Sequence, residues 1–309
     1  MVILNSRFML ELRDMKNYII AIIVLVLAGV GIYFLTRTSS TDVLVNTTQT
    51  VSTSTTETVV NKDQTVIGKS VEGRDIVAHN FGTGTTTKLL FVGGIHGGYE
   101  WNTSLLAYQL IDYLKANPNI IPAGVQVLII PVLNPDGLNK VVGTSTGNFS
   151  IANVPTSQAT VIAGRFNANN VDLGRNFDCK WQQSGKWQDK TVSGGDSVFS
   201  EPESLAFKNY VDATKPSAVA FWYSSAGGVY SSSCNNGVLP ETAIITNAYA
   251  NASGYPAYQD FTAYPLSGDT VNWLAKINVP AVSVLLTNHD DTDFDKNLAG
   301  VKALINLYK

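Results

Sequence analysis

The sequence predicts an α/β fold, a mainly parallel mixed sheet flanked by helices on both faces. Two observations carry that expectation. Short apolar runs, bounded by Gly, Pro, Asn and Asp, recur from about residue 66 onward. Between several of them the apolar residues fall at helical rather than alternating spacing. Fully apolar strands interleaved with helices are the mark of a sheet covered on both sides.

The elements follow in order. Residues 66–78 read as a strand pair turning at Glu72-Gly73, and 88–92 as a short apolar strand. Leu105, Leu106, Leu110, Ile111 and Leu114 then lie on one helical face. Residues 125–133 form another apolar strand, closed by Asn134-Pro135-Asp136-Gly137. Two more strands are expected at 217–223 and 280–286, preceded by helices near 201–213 and 269–277. A last helix is expected over 295–307.

Ahead of this domain the composition changes twice. Residues 18–35 (YIIAIIVLVLAGVGIYFL) are uncharged and almost wholly apolar, the length a membrane-spanning helix needs. No small-residue cleavage site follows, which favours an anchor over a removed signal peptide. Arg7, Arg13 and Lys16 precede the span and only Arg37 closely follows it, so residues 1–17 are expected in the cytoplasm and the main domain outside. Residues 36–62 are rich in Thr and Ser and read as a stalk. The domain itself is expected over 63–309. Its two cysteines, Cys179 and Cys234, are expected to pair, since disulfides are permitted outside the membrane. Only 15% of residues are charged and the net charge is -3, which excludes the basic footprint of a nucleic-acid binder.

The most specific local feature is GGIHGGYEWNT at 93–103. An apolar strand runs into a glycine turn that carries His96 and Glu100. Imidazole plus carboxylate is the donor chemistry of a catalytic zinc, which takes a third protein ligand and keeps one position for water. The other histidines are His79, read as a surface or edge residue of an early strand, and His289. His289 falls in a loop after the 280–286 strand and is expected to pair with Asp290 or Asp291.

Four segments in order carry a family resemblance: Ile95-His96 with Glu100-Trp101, PVLNPDG at 131–137, RFNANNVDLGRNF at 165–177 and YPLSGDTVNW at 264–273. Together they resemble zinc carboxypeptidases of the carboxypeptidase A type, with the bacterial cell-wall-directed members nearest in style. The resemblance implies that fold, a zinc cofactor, and peptides with a free carboxylate as partners. It implies His96 and Glu100 as the first metal ligands and Asp172 as the carboxylate that orients His96. It further implies Arg165 as the residue stabilising the oxyanion, Arg175 as the clamp on the terminal carboxylate, and Tyr264 as the mobile tyrosine over the site. Val271 falls at the specificity position, and being apolar it implies an uncharged or apolar last side chain.

Other positions depart from the pattern. Three residues separate His96 from Glu100 where the family usually has two, and a bulged turn at Gly97-Gly98 is expected to absorb the extra one. The second histidine ligand falls at Tyr223, the catalytic base at Leu285, and the clamp asparagine at Gly174. A phenol is a poor zinc ligand while it keeps its proton, and a leucine cannot take one. The expectation is therefore a membrane-anchored, extracellular carboxypeptidase-like domain, catalytically degenerate, with weak or absent zinc, binding peptide or cell-wall carboxy termini. The alternatives are an active zinc carboxypeptidase or muropeptide amidase with a rearranged metal site, and a purely structural surface domain.

Overall fold

The structure, a computed structural model, describes residues 63–309. The expected cytoplasmic segment, membrane span and stalk lie outside the described residues. Among the described residues no helix is long and apolar enough to cross a membrane.

Twelve strands are present among these residues: β1 (Gln64–Lys69), β2 (Asp75–Phe81), β3 (Thr87–Val92), β4 (Val125–Ile130), β5 (Ser184–Trp187), β6 (Lys190–Ser193), β7 (Ala218–Ser224), β8 (Gly228–Ser231), β9 (Ser233–Cys234), β10 (Gly237–Val238), β11 (Ala257–Tyr258) and β12 (Ala281–Leu286). Seven α-helices accompany them: α1 (Trp101–Ala116), α2 (Pro135–Val142), α3 (Gln158–Ala163), α4 (Pro202–Thr214), α5 (Pro240–Ser253), α6 (Thr270–Lys276) and α7 (Phe294–Leu307). Eight strands form one mixed sheet in the order β1-β2-β4-β3-β7-β12-β8-β11. Its centre, β4-β3-β7-β12, is parallel throughout, while β1-β2, β2-β4 and β12-β8 pair antiparallel.

The central strands are apolar on both sides because each side meets helices. Leu90, Val92, Val219, Phe221, Tyr223 and Leu285 share one core with Phe207 and Val211 of α4 and Trp273 and Leu274 of α6. The alternate residues Leu89, Phe91, Ala220, Trp222, Val282 and Val284 share the other core with α1, α5 and α7. That alternation puts Tyr223 and Leu285 on the same face, and they are register partners at the carboxyl ends of neighbouring parallel strands. The carboxyl ends of such strands are where open α/β sheets bind ligands.

Several elements leave no clear pattern in the sequence. Helix α5 buries Thr242, Ile245, Thr246, Tyr249, Ala250 and Ser253, a helical spacing half made of small polar residues. Hydrophobicity alone does not mark such a face. The β5-β6 hairpin and the two-residue strands β9, β10 and β11 are too short to carry a period. The expected Cys179–Cys234 disulfide is present and ties the loop after Arg175 to β9.

Candidate active-site cleft

The loop after β3 builds the first part of the site. Gly94 and Gly97 both have positive φ, 63° and 44°. A Cβ on Gly97 would stand 2.6 Å from the carbonyl oxygen of Gly164, so only glycine lets the chain turn there. Gly97–Glu100 form a tight helical turn before α1. The turn accommodates the additional residue between the two side chains: His96 Nδ1 lies 2.9 Å from Glu100 Oε1. Proximity is all this contact provides, since neither imidazole nitrogen has a well-directed hydrogen bond and Glu100 Oε2 has no partner.

Behind His96 stands Asp172, wholly buried, with Oδ1 at 3.5 Å from His96 Nε2. Arg165 Nε donates to Asp172 Oδ2 at 3.0 Å and Nη2 lies 2.9 Å from the same oxygen. Burial alone would raise the Asp172 carboxyl, but the Arg165 guanidinium, aided by His96 and Arg175, holds it well below the ordinary carboxylate range. Arg165 is itself 1% exposed, its Nη1 is 3.8 Å from Glu100 Oε1, and Trp187 of β5 covers it with the ring centre 4.4 Å away. The sequence did not point to Trp187, because the hairpin carrying it is not legible as strands.

Arg175 is held differently. Its Nε and Nη2 donate to the carbonyl of Lys186 and its Nη1 to the carbonyl of Gly174. Those bonds use three of the five N–H groups of a guanidinium and leave one on each terminal nitrogen. The Tyr264 ring centre lies 5.8 Å from its Cζ. Gly174 has a local reason for lacking a side chain: a Cβ there would stand 2.9 Å from His96 Nε2 and 3.3 Å from Asp172 Oδ1.

His96, Glu100, Arg165, Arg175, Tyr223, Tyr264 and Leu285 line one cleft of about 560 Å³. The His96 and Tyr223 ring centres are 5.4 Å apart. Val271 takes a different position from the expected one: it is 3% exposed and packs in the core beside α6 neighbours, while Asp269 and Ser283 line the cleft. The apolar character of Val271 therefore says little about the last side chain a ligand presents.

His289 also departs from expectation. The loop returns to the cleft, where His289 lines the wall and its ring centre is 4.9 Å from that of Tyr99. Its Nδ1 is 2.7 Å from Ser224 Oγ, not paired with Asp290 or Asp291. Asn102 fixes the direction of that bond. Its Nδ2 donates to the carbonyls of Asn288 and Asp291, so its Oδ1 is free to accept the Ser224 hydroxyl proton at 3.1 Å. Ser224 has one proton, so His289 Nδ1–H is the donor to Ser224 and Nε2 is left as an acceptor. Burial lowers the His289 pKa, which keeps that ring neutral near pH 7. Nothing in the sequence around Asn288-His289 signals that Asn102 would draw the loop inward. His79, expected at the surface or an edge, is buried on β2, one strand inside the sheet edge.

Whether these donors fit a zinc ion follows from their chemistry. The orphaned imidazole and carboxylate atoms of His96 and Glu100 are two suitable donors. Opposite them is the Tyr223 hydroxyl, also unpartnered, whose pKa burial raises well above the phenol range. Among the described residues no group of three or more His, Cys, Asp or Glu is placed to hold a metal ion. The set does not fit a closed three-ligand zinc centre.

Comparison with known proteins gives the fold and the family of the chain. The chain is 25% identical over 219 residues to gamma-D-glutamyl-L-diamino acid endopeptidase 1 of Lysinibacillus sphaericus, covering 65% of this chain and 54% of that protein. It is 29% identical over 225 residues to carboxypeptidase E of Caenorhabditis elegans, covering 68% of this chain and 43% of that protein. The chain thus spans about half the length of these curated relatives. Among solved structures, the fold is similar to murein-tripeptide amidase MpaA from Escherichia coli O157 (TM-score 0.56, 18% identity, 79% of this chain and 91% of that one). It is also similar to thrombin activatable fibrinolysis inhibitor (TM-score 0.61, 16% identity, 79% and 68%). These likenesses carry the fold, the mixed eight-stranded sheet with helices on both faces. The family model for zinc carboxypeptidases matches residues 57–292. A match over well more than half of its length makes the chain a member of the zinc carboxypeptidase family.

Proposed function

We propose that this domain binds the free carboxy termini of peptides, cell-wall peptides among them, and has lost efficient zinc-dependent hydrolysis. One observation carries the proposal. Tyr223 and Leu285 are register partners side by side on the cleft wall, and the sequence resemblance assigns a histidine ligand and a glutamate base to these two positions. A general base and a metal act on the same water, so losing one and weakening the other compounds the loss. Arg175, by contrast, keeps two uncommitted N–H groups, the fork that suits a carboxylate. The name of the Lysinibacillus relative, a γ-D-glutamyl-L-diamino acid endopeptidase, supports wall peptides as the ligand class. Residues 18–35 support a membrane anchor that presents the domain outside the cell.

The test is binding of one peptide as the free acid and as its amide to the full-length chain. The acid is expected to bind about tenfold more tightly or better, and Arg175→Lys, which keeps the charge but removes the fork, to erase most of that difference. Equal affinity for acid and amide would favour the purely structural alternative. Zinc-dependent release of the last residue at ordinary peptidase rates would favour an active enzyme.

A further inference from the structure

His289 is a cleft residue to which carboxylate binding alone gives no role. It comes from the loop after β12, and that loop is tied down. Asn102 Nδ2 holds it by the carbonyls of Asn288 and Asp291, and Asn288 Oδ1 accepts the amides of Asp290 and Asp291 at 2.8 and 2.7 Å. The imidazole is fixed in turn. Its Nδ1 is bonded to Ser224 Oγ, and its ring packs against Tyr99, which is itself held by Trp187 with the ring centres 5.0 Å apart. Because Nδ1 carries the proton, Nε2 is an acceptor, and no hydrogen bond from another described residue reaches it. A fixed, uncommitted acceptor on a cleft wall costs little ordering to engage.

His289 sits with Tyr99 and Ser224, whereas Arg175 sits with Lys186 and Tyr264, so the cleft offers donors in one place and an acceptor in another. A peptide whose terminal carboxylate rests on Arg175 still carries backbone N–H groups, the donors an imidazole nitrogen accepts. The N–H of the last residue sits beside the carboxylate itself, so the next one along the chain is the first that clears Arg175. We infer that His289 Nε2 accepts the backbone N–H of the residue before the last, so that the cleft reads the direction of a bound peptide and disfavours proline at that position, which has no N–H. The inference rests on the proposed carboxy-terminal binding. Ser224 and Asn102 are positioning residues for it, because together they decide which imidazole nitrogen keeps the proton.

Two pairs of ligands keep the two proposals distinguishable. Acetyl-Ala-Ala-Leu and the analogue in which lactic acid replaces its second alanine differ at one N–H, which the ester link exchanges for oxygen. Each is titrated by calorimetry into the full-length chain, as the free acid and as the terminal carboxamide. The all-peptide acid is expected to bind about fivefold more tightly than the ester acid, the worth of one neutral hydrogen bond. His289→Phe keeps an aromatic ring against Tyr99 but removes the acceptor, and is expected to bring the two acids within about twofold. Ser224→Ala leaves the imidazole in place, releases its tautomer, and is expected to narrow the preference. An ester acid that binds the unmodified chain as well as the peptide acid overturns the inference, and so does a preference that survives His289→Phe in a folded variant. If the acids bind no better than their carboxamides, the carboxy-terminal proposal fails instead, and the N–H preference is still read within each pair. The ranking on the unmodified chain decides the matter should the variants not fold.

Discussion

Replacing Asp172 with Asn tests the electrostatic frame that holds His96. The Asp172 and Arg165 side chains are 0% and 2% exposed, so the substitution leaves a buried guanidinium without its principal counter-charge. Breaking a buried pair from one side costs about 3–5 kcal/mol. For a domain of this size that corresponds to a fall of roughly 6–20 °C in the melting midpoint. The pH dependence has a definite sign. The folded-state pKa of Asp172 is depressed, so its stabilising contribution is fully present above the unfolded value of about 3.9. That contribution is lost as the pH falls from there toward the folded value. The gap between the parent chain and Asp172→Asn is therefore constant from about pH 5 to 7 and narrows below about pH 4. Denaturant unfolding across that range measures it, with Asp75→Asn in the exposed Lys69 pair as a control expected to cost at most about 1 kcal/mol. A loss under about 1 kcal/mol for Asp172→Asn at pH 7 would refute the buried-pair argument, as would a gap that widens in acid.

Two further substitutions probe the neighbouring positions. Tyr223→His combined with Leu285→Glu is expected to raise zinc retention after dialysis, whereas Leu285→Glu alone lowers the melting midpoint because it buries a carboxylate at a position only 8% exposed. Unchanged zinc content in the double variant would remove support for assigning those positions to ligand and base. Gly174→Ala is expected to cost about 1–3 kcal/mol, since its Cβ would meet His96 Nε2 at 2.9 Å, and a thermal melt within 1 °C of the parent would show that the loop yields freely.

Much of this architecture is legible in the sequence, for identifiable reasons. The central strands β3, β4, β7 and β12 are buried on both faces, so their apolar runs stand out from the polar loops between them. His96 and Glu100 are legible because a glycine turn at a strand end is a local signal. The hairpin β5-β6 is hidden because alternate residues of a four-residue strand carry no usable period. Val271 is misread because its place along the chain does not reveal which side of α6 meets the core, and the cleft goes to Asp269 instead. His289 is misread because its position depends on Asn102, far away in sequence, whose buried amide holds the loop by two carbonyls. Long-range hydrogen bonds of this kind leave no spacing pattern behind.

The most direct test of the degenerate metal site is the zinc content of the purified full-length chain. The chain is saturated with zinc, dialysed against a mild chelator, and analysed for metal per protein molecule. Two sound donors and a protonated phenol predict substoichiometric zinc, well below one ion per chain. One tightly held zinc per chain after dialysis would contradict the account and return the cleft to the hydrolytic members of its family.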